Sequence, residues 1–338
     1  MVNATLPDLL RLLAIPVFGW AAWHDVESRR VANRTWYPLA ALAVVLLLWE
    51  GWVALHAPPL ERRWFLLGVV VSLGFVAPLV LVFWWFRAFG GADMKAFLVV
   101  AALFPTYPTY EVAGWTLPAQ QTLLGVFSLT ILTNTVIIGA LYPVSLFVRN
   151  LVAGRFSWVM FVGRVTPWEE IPTAHGRLLQ SPDGVGRSGV DLDAVRMYLR
   201  WRGITLAELR ERAHELRDPA TLPDDPNPPT DGAVGAGPTG REEVADGGTA
   251  VQRSAADEAS AGYEDPWGAA AFLDDIDHGA YGTTSTQLRE GLTVLTTEDE
   301  VWVSPGIPFI VPMFVGLLVA FGYGDLLAGI LGVLGVAI

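Results

Sequence analysis

The sequence predicts an all-α polytopic membrane protein of about six transmembrane helices, with a large cytoplasmic insert between the fifth and the sixth. Three observations carry this expectation. The 338 residues are 52% hydrophobic and include 14 tryptophans, a composition typical of chains that live in lipid. Apolar runs near the roughly 20 residues that a bilayer requires recur through positions 1–150 and again from 305. The acid is segregated: the net charge is −12, and most of the 34 acidic residues lie between Asp183 and Asp299. An acidic polar part with almost no lysine fits a salt-adapted cytosol and bears on solubility rather than on a partner.

Leu6–Trp23 is the first span, read as an anchor because its flanking charge follows it and no small-residue cleavage site is evident. The loop His24–Arg34 carries Arg29, Arg30 and Arg34, which places it in the cytoplasm by the positive-inside rule. Trp36–Leu55 is the second span and Trp64–Phe86 the third, returning to the cytoplasm at Arg87. A short fourth span begins at Ala96–Phe104, and the loop 109–121, with Glu111 and no basic residue, reads as external. Thr122–Phe147 is the fifth span. Gly306–Tyr323 is the sixth, followed by an apolar tail, so that both termini lie outside.

By composition the chain divides into a membrane domain at 1–150, a cytoplasmic region at 151–218, a linker at 219–262, a return segment at 263–304, and a final helix with tail at 305–338. Within 151–218, Asp191 is placed to cap an apolar-periodic run through Trp201. Thr205-Leu206-Ala207-Glu208 is a capping-box pattern, so a small helical hairpin is expected. Pro219–Gly262 is rich in Pro, Gly and acid with almost no large apolar residue, and is expected to be disordered. A short helix is expected near Pro266–Ile276.

The topology sorts the carboxylates. Asp8, Glu50, Glu61, Glu111 and Asp325 fall at external ends of spans, whereas Asp25 and Asp93 share the cytoplasmic end. Asp93 lies in Gly90-Gly91-Ala92-Asp93-Met94-Lys95, a stretch whose glycines permit close turns and whose lysine is the only one in the chain. Two nearby carboxylates resist double ionisation, so one holds a proton that the pair shares. One then acts as general base on water and the other as general acid, which is the chemistry of an aspartic peptidase. An ordinary role competes with this one: aspartate is also a good helix cap.

The wording around these residues resembles the archaeal prepilin and preflagellin peptidases, membrane aspartic peptidases related to bacterial type IV prepilin peptidases. Asp25 is followed by basic residues and Val31-Ala32-Asn33. The stretch 90–95 parallels the family's Gly-x-Gly-Asp-x-Lys, with Ala92 in place of the second glycine, and Pro305-Gly306-Ile307-Pro308-Phe309 opens the last helix. The resemblance covers roughly Leu6–Arg149 and Trp302–Asp325 and leaves the insert outside. It implies catalysis by Asp25 and Asp93, supported by Gly90, Gly91, Lys95 and Asn33. The implied partners are pilin and archaellin precursors, whose short basic leaders are removed at the cytoplasmic face of the cell membrane. No cofactor is expected. Cysteine is absent, so the cysteine-rich zinc domain that many bacterial relatives link to N-methylation has no counterpart.

Lys95 has two readings, one as a partner of the ionised dyad and one as a contact to lipid phosphate. Asn33 and Arg29 are candidates for orienting the loop after Asp25. His175, His214 and His278 lack metal-ligand spacing, and neither a phosphate loop nor a basic patch for nucleic acid is present. Two alternative classes stand beside the peptidase: an ion- or proton-coupled transporter using Asp25 and Asp93, and a membrane anchor whose insert binds a partner.

Overall fold

The computed structural model describes residues 2–28, 31–86, 89–122, 125–186, 189–234, 265–276, 279–306 and 308–335. Arg29, Arg30, Arg87, His278 and Ile307 lie outside the described residues, as does 235–262 of the expected linker. The chain is mostly helical and folds as two compact units, Met1–Tyr142 with Pro308–Ile338, and Pro143–Ile307.

In the first unit, strand β1 (Val2–Asn3) leads into α1 (Leu6–Arg11), capped by the Thr5 hydroxyl, and then α2 (Ala14–Ser28). Helix α3 (Tyr37–His56) follows, then α4 (Pro59–Val71), a wide π-helical turn at Ser72–Val76, and α5 (Ala77–Trp85). The wide turn ends just before Pro78, which has no N–H for the Gly74 carbonyl and whose ring would crowd it. Gly68, Ser72, Val76 and Val80 are the buried positions of this long helix. The Ser72 hydroxyl donates to the Ala101 carbonyl at 2.6 Å on α6 (Gly91–Leu103). At Gly68 a Cβ would come within 2.7 Å of the Pro105 carbonyl, so only glycine permits that approach. Strands β2 (Tyr110–Val112) and β3 (Trp115–Leu117) form a hairpin against β1, and α7 (Phe127–Val152) follows.

The second unit begins at Pro143 and has its own core. Strands β4 (Arg164–Pro167) and β5 (Arg177–Leu178) flank a strand from the far end of the unit, and β6 (Gln180–Ser181) pairs with β7 (Gly184–Val185). Helix α8 (Leu192–Arg202) is capped by Asp191 and stops at Gly203, which is left-handed at φ 73°. Helix α9 (Leu206–Glu211) opens with the Thr205–Glu208 capping box, and α10 (Ala213–Leu216) follows. These are the caps that the spacing predicts. After the linker come α11 (Ala269–Asp275), α12 (Ser285–Thr297) and β8 (Glu300–Ser304). Strand β8 is the central strand, antiparallel to both β4 and β5. The helical hairpin and the return segment therefore share one core rather than forming separate regions. Alternating burial along β8, with Val301 and Val303 inward, is what draws the return segment in. The chain closes in the first unit with α13 (Ile310–Gly322) and α14 (Leu326–Val333).

Four helical stretches are long and apolar enough to cross a membrane: Leu6–Glu27, Asn33–His56, Pro59–Trp85 and Phe127–Val152. The expected fourth and sixth spans are α6 and α13, each of 13 residues. At 1.5 Å per residue each reaches about 20 Å, short of a hydrocarbon core of about 30 Å. Both pack inside the unit, α6 against α3 and α5, and α13 against α2.

The expectation of disorder from Pro219 needs correcting. Residues 219–234 are laid across α8 by its arginines. Arg196 donates to the Gly232 carbonyl at 2.6 Å, and Arg200 donates to the Thr230 hydroxyl and the Ala233 carbonyl, both at 2.6 Å. The Asn227 N–H donates to the Trp201 carbonyl at 2.9 Å. Composition missed this because the attachment rests mainly on backbone carbonyls and hydroxyls, with Leu222 as its apolar contact to the core. Deleting 235–262 is accordingly expected to leave the thermal melt of the purified protein unchanged. Deleting 219–262 takes the Gly232 carbonyl from buried Arg196 and the Thr221 hydroxyl from buried Arg202, at about 1–3 kcal/mol for each buried donor left unsatisfied. Equal melts for the two deletions would refute this division.

Candidate active site

Asp25 lies near the end of α2 and is buried, at 8% exposure. Asp93 occupies the first turn of α6, outside the four long helices, and is half-buried. The helix starts at Gly91 rather than near Met94, so Asp93 is an N-terminal helical residue. The Gly90 N–H donates to its Oδ2 at 3.1 Å. The capping role is thus present in the structure.

The electrostatics add something that a cap does not require. Burial pushes the Asp93 carboxyl up to about 7, the Gly90 N–H opposes that rise, and the negative charge of Asp25 adds to it. Desolvation and a like charge both disfavour the ionised form. Two carboxylates 68 positions apart in sequence are therefore brought within electrostatic reach, one on α2 and one on α6.

The four supporting candidates fall out differently. A Cβ at Gly90 would lie 3.0 Å from Asp93 Oδ2, so glycine leaves room for that carboxylate, whereas a Cβ at Gly91 meets nothing within 4 Å. Neither glycine has a positive φ, so the expected tight turn is not what selects them. Lys95 is two residues beyond Asp93 on α6, and residues so spaced face different ways. Its Nζ donates to Asn33 Oδ1 at 2.7 Å. Lys95 and Asn33 thus come together, joining the first turns of α6 to the segment that follows Asp25. Lys95→Met and Asn33→Leu are expected to lower the cleavage rate to a similar degree. The double variant should cost little more than either alone, because both remove one bond. Asn33→Asp keeps an acceptor and is expected to retain activity. Full activity in Asn33→Leu beside loss in Lys95→Met would show instead that the lysine acts through its charge.

An aromatic cluster underlies the site. Phe89, just before Gly90, stacks on Phe97 with centroids 5.4 Å apart, and Phe309 lies 5.0 Å from Phe89. The Phe309 motif at the start of the last helices therefore packs beneath the glycine-aspartate motif. His24 stacks on Trp20 at 5.2 Å. Among the described residues no group of three or more His, Cys, Asp or Glu is placed to hold a metal ion.

Sequence reasoning passed over Arg11. It is 1% exposed, and its guanidinium donates to Asp8 at 2.8 Å, to Glu50 at 2.5 Å and to the Leu103 carbonyl at 2.9 Å. It thereby ties α1, α3 and the end of α6 opposite Asp93. The signal is an arginine inside the apolar span Leu6–Trp23. Asp325 is likewise buried at 4%, capping α14 through the Ala328 N–H at 2.9 Å and accepting from the Thr130 hydroxyl at 3.0 Å.

Comparison with known families finds two matches. The model of the type IV leader peptidase family matches residues 12–144, which contain both aspartates, and that of the archaeal peptidase A24 C-terminus, type II, matches residues 252–326. No curated protein and no solved structure gives a match. Nothing found favours transport. On these two matches, the chain belongs to the type IV leader peptidase family and is an archaeal peptidase of the prepilin and preflagellin class.

Proposed function

We propose that Asp25 and Asp93 are the catalytic pair of this peptidase. In this reading they remove short basic leaders from pilin-like and archaellin precursors at the cytoplasmic face of the membrane. The observation that carries the proposal is the pairing: α2 and α6 bring Asp25 and Asp93 within electrostatic reach, where burial first, and the charge of Asp25 in addition, favour a proton on Asp93. Ionised Asp25 takes a proton from water as its oxygen attacks the scissile carbonyl. Protonated Asp93 donates to the carbonyl oxygen as the tetrahedral intermediate forms. The intermediate collapses with proton transfer to the leaving amine, and the pair returns to one shared proton.

The layout used by this reading has six crossings, with the short helices α6 and α13 completing the bundle and the second unit facing the cytosol. Arginines in the loop after Asp25 favour that side, and an acidic insert attracts basic leaders, though salt screens this strongly. The test is reconstitution of the full chain in proteoliposomes with a precursor bearing a basic leader, followed by mass spectrometry of the product. Cleavage between leader and apolar helix is expected. An uncut precursor, or cleavage only from the outer face, would reject the proposal.

A further inference from the structure

The end of α7 carries an aromatic hook that no catalytic role explains. After Val152 the chain reverses. Asn150, 3% exposed, donates from its side-chain amide to the carbonyls of Met160 and Gly163, both at 2.8 Å, and its own carbonyl accepts from the Arg155 N–H at 2.9 Å. The reversal lays Phe161 flat on Phe147, with centroids 4.5 Å apart and planes 6° from parallel. The loop is therefore built rather than slack, with a buried amide at its centre. Yet its outer side is apolar and uncovered: Phe156 is 74% exposed, Trp158 53% and Phe161 49%.

We propose that this hook, residues 154–162, is a docking surface for the anionic headgroup region of the bilayer. Three observations select lipid over a protein partner. The patch continues the exposed apolar face of a helix long enough to cross a membrane, through Val148, Leu151 and Val152. Its aromatic content is that of an interfacial belt, where rings sit at headgroup level. Arg149 in the last turn of α7 and Arg155 at the mouth of the hook supply positive charge at the depth of lipid phosphates. Arg155 also reaches Glu300 at 3.2 Å, an exposed pair that high dielectric keeps weak and exchangeable.

The absence of cysteine in the chain makes the test direct. Phe156→Cys, Val162→Cys and, as an exposed reference on α9, Glu211→Cys are labelled with bimane in the full chain and placed in nanodiscs. Quenching is read with a lipid carrying a nitroxide near the glycerol end of its acyl chain, and separately with aqueous iodide. The expected result is several-fold stronger lipid quenching at 156 and 162 than at 211, with protection from iodide. Raising the share of phosphatidylglycerol should deepen the lipid quenching, and Arg149→Gln with Arg155→Gln should abolish that dependence. Iodide quenching at 156 and 162 equal to that at 211 would overturn the proposal by placing the hook in water. Protection from both quenchers would overturn it in favour of a second copy of the chain or another protein.

Discussion

Asp93→Asn stops leader removal, whereas membrane insertion and folding are retained; this is the expected result with the largest effect. Asparagine keeps an oxygen for the Gly90 N–H, which donates to Asp93 Oδ2 at 3.1 Å, so the helix cap survives. What it loses is the titrating proton. General acid–base groups contribute about 10²–10⁴ in rate, and a pair acting as a unit loses nearly everything when either member goes. Asp25→Asn should therefore match Asp93→Asn, and the double variant should be scarcely worse. The pH dependence has a defined sign. The Asp93 carboxyl holds its proton up to about 7, well above an unperturbed aspartate, so the singly protonated pair is present below that value. It is lost as pH rises through it, and cleavage should fall on that alkaline limb. Normal processing by Asp93→Asn would reduce Asp93 to a cap.

Arg11→Met is expected to cripple stability rather than chemistry. The guanidinium is buried and holds Asp8, Glu50 and the Leu103 carbonyl. Removing it leaves two carboxylates facing one another without a counter-charge and one carbonyl without a donor. Removing one partner of a buried ion pair typically costs about 3–5 kcal/mol. The detergent-solubilised variant should melt well below the parent, read by tryptophan fluorescence. Adding Asp8→Asn and Glu50→Gln should recover part of the loss, because the stranded charges go with them. A melt equal to the parent's would show that the cluster contributes nothing net.

How far the sequence could be read follows from the kind of force involved. Hydropathy found the long helices because lipid-facing surface must be apolar along its whole length. At α6 and α13, each of 13 residues, hydropathy alone does not decide, because apolar residues serve burial among other helices as well as contact with lipid. Asp25 and Asp93 were legible because a charge beside hydrocarbon is conspicuous. The Lys95–Asn33 bond was not, since 62 residues separate its partners and only tertiary packing joins them. In the second unit the caps of α8 and α9 were legible as local signals. The three-stranded sheet β4–β8–β5 was hidden because its central strand comes some 130 residues after its edge β4. The docking of 219–234 was hidden too, because carbonyl acceptors carry no side-chain signature.

The wide turn in the long helix Pro59–Trp85 governs an angle. Gly68, Ser72, Val76 and Val80 are its buried positions, spaced by fours. On an unbroken α-helix, residues twelve apart stand about 120° out of phase, so such a row would spiral away from any one neighbour. A turn that closes on the fifth residue instead of the fourth takes in one extra residue and sets the following helix back by about 100°. The four positions then stay within about 30° of one azimuth and make a straight seam, which Ser72 bonds to α6 at Ala101. The rest of the circumference, including Val70, Phe75, Leu81 and Trp85, is left exposed. Excising one residue from Ser72–Val76 would let the turn close as ordinary α-helix with Val76 and Val80 still on the seam, whereas winding all five residues as α-helix would carry both about 100° round and out of it. The width of that turn, more than the chemistry of its side chains, keeps this helix against the one that carries Asp93.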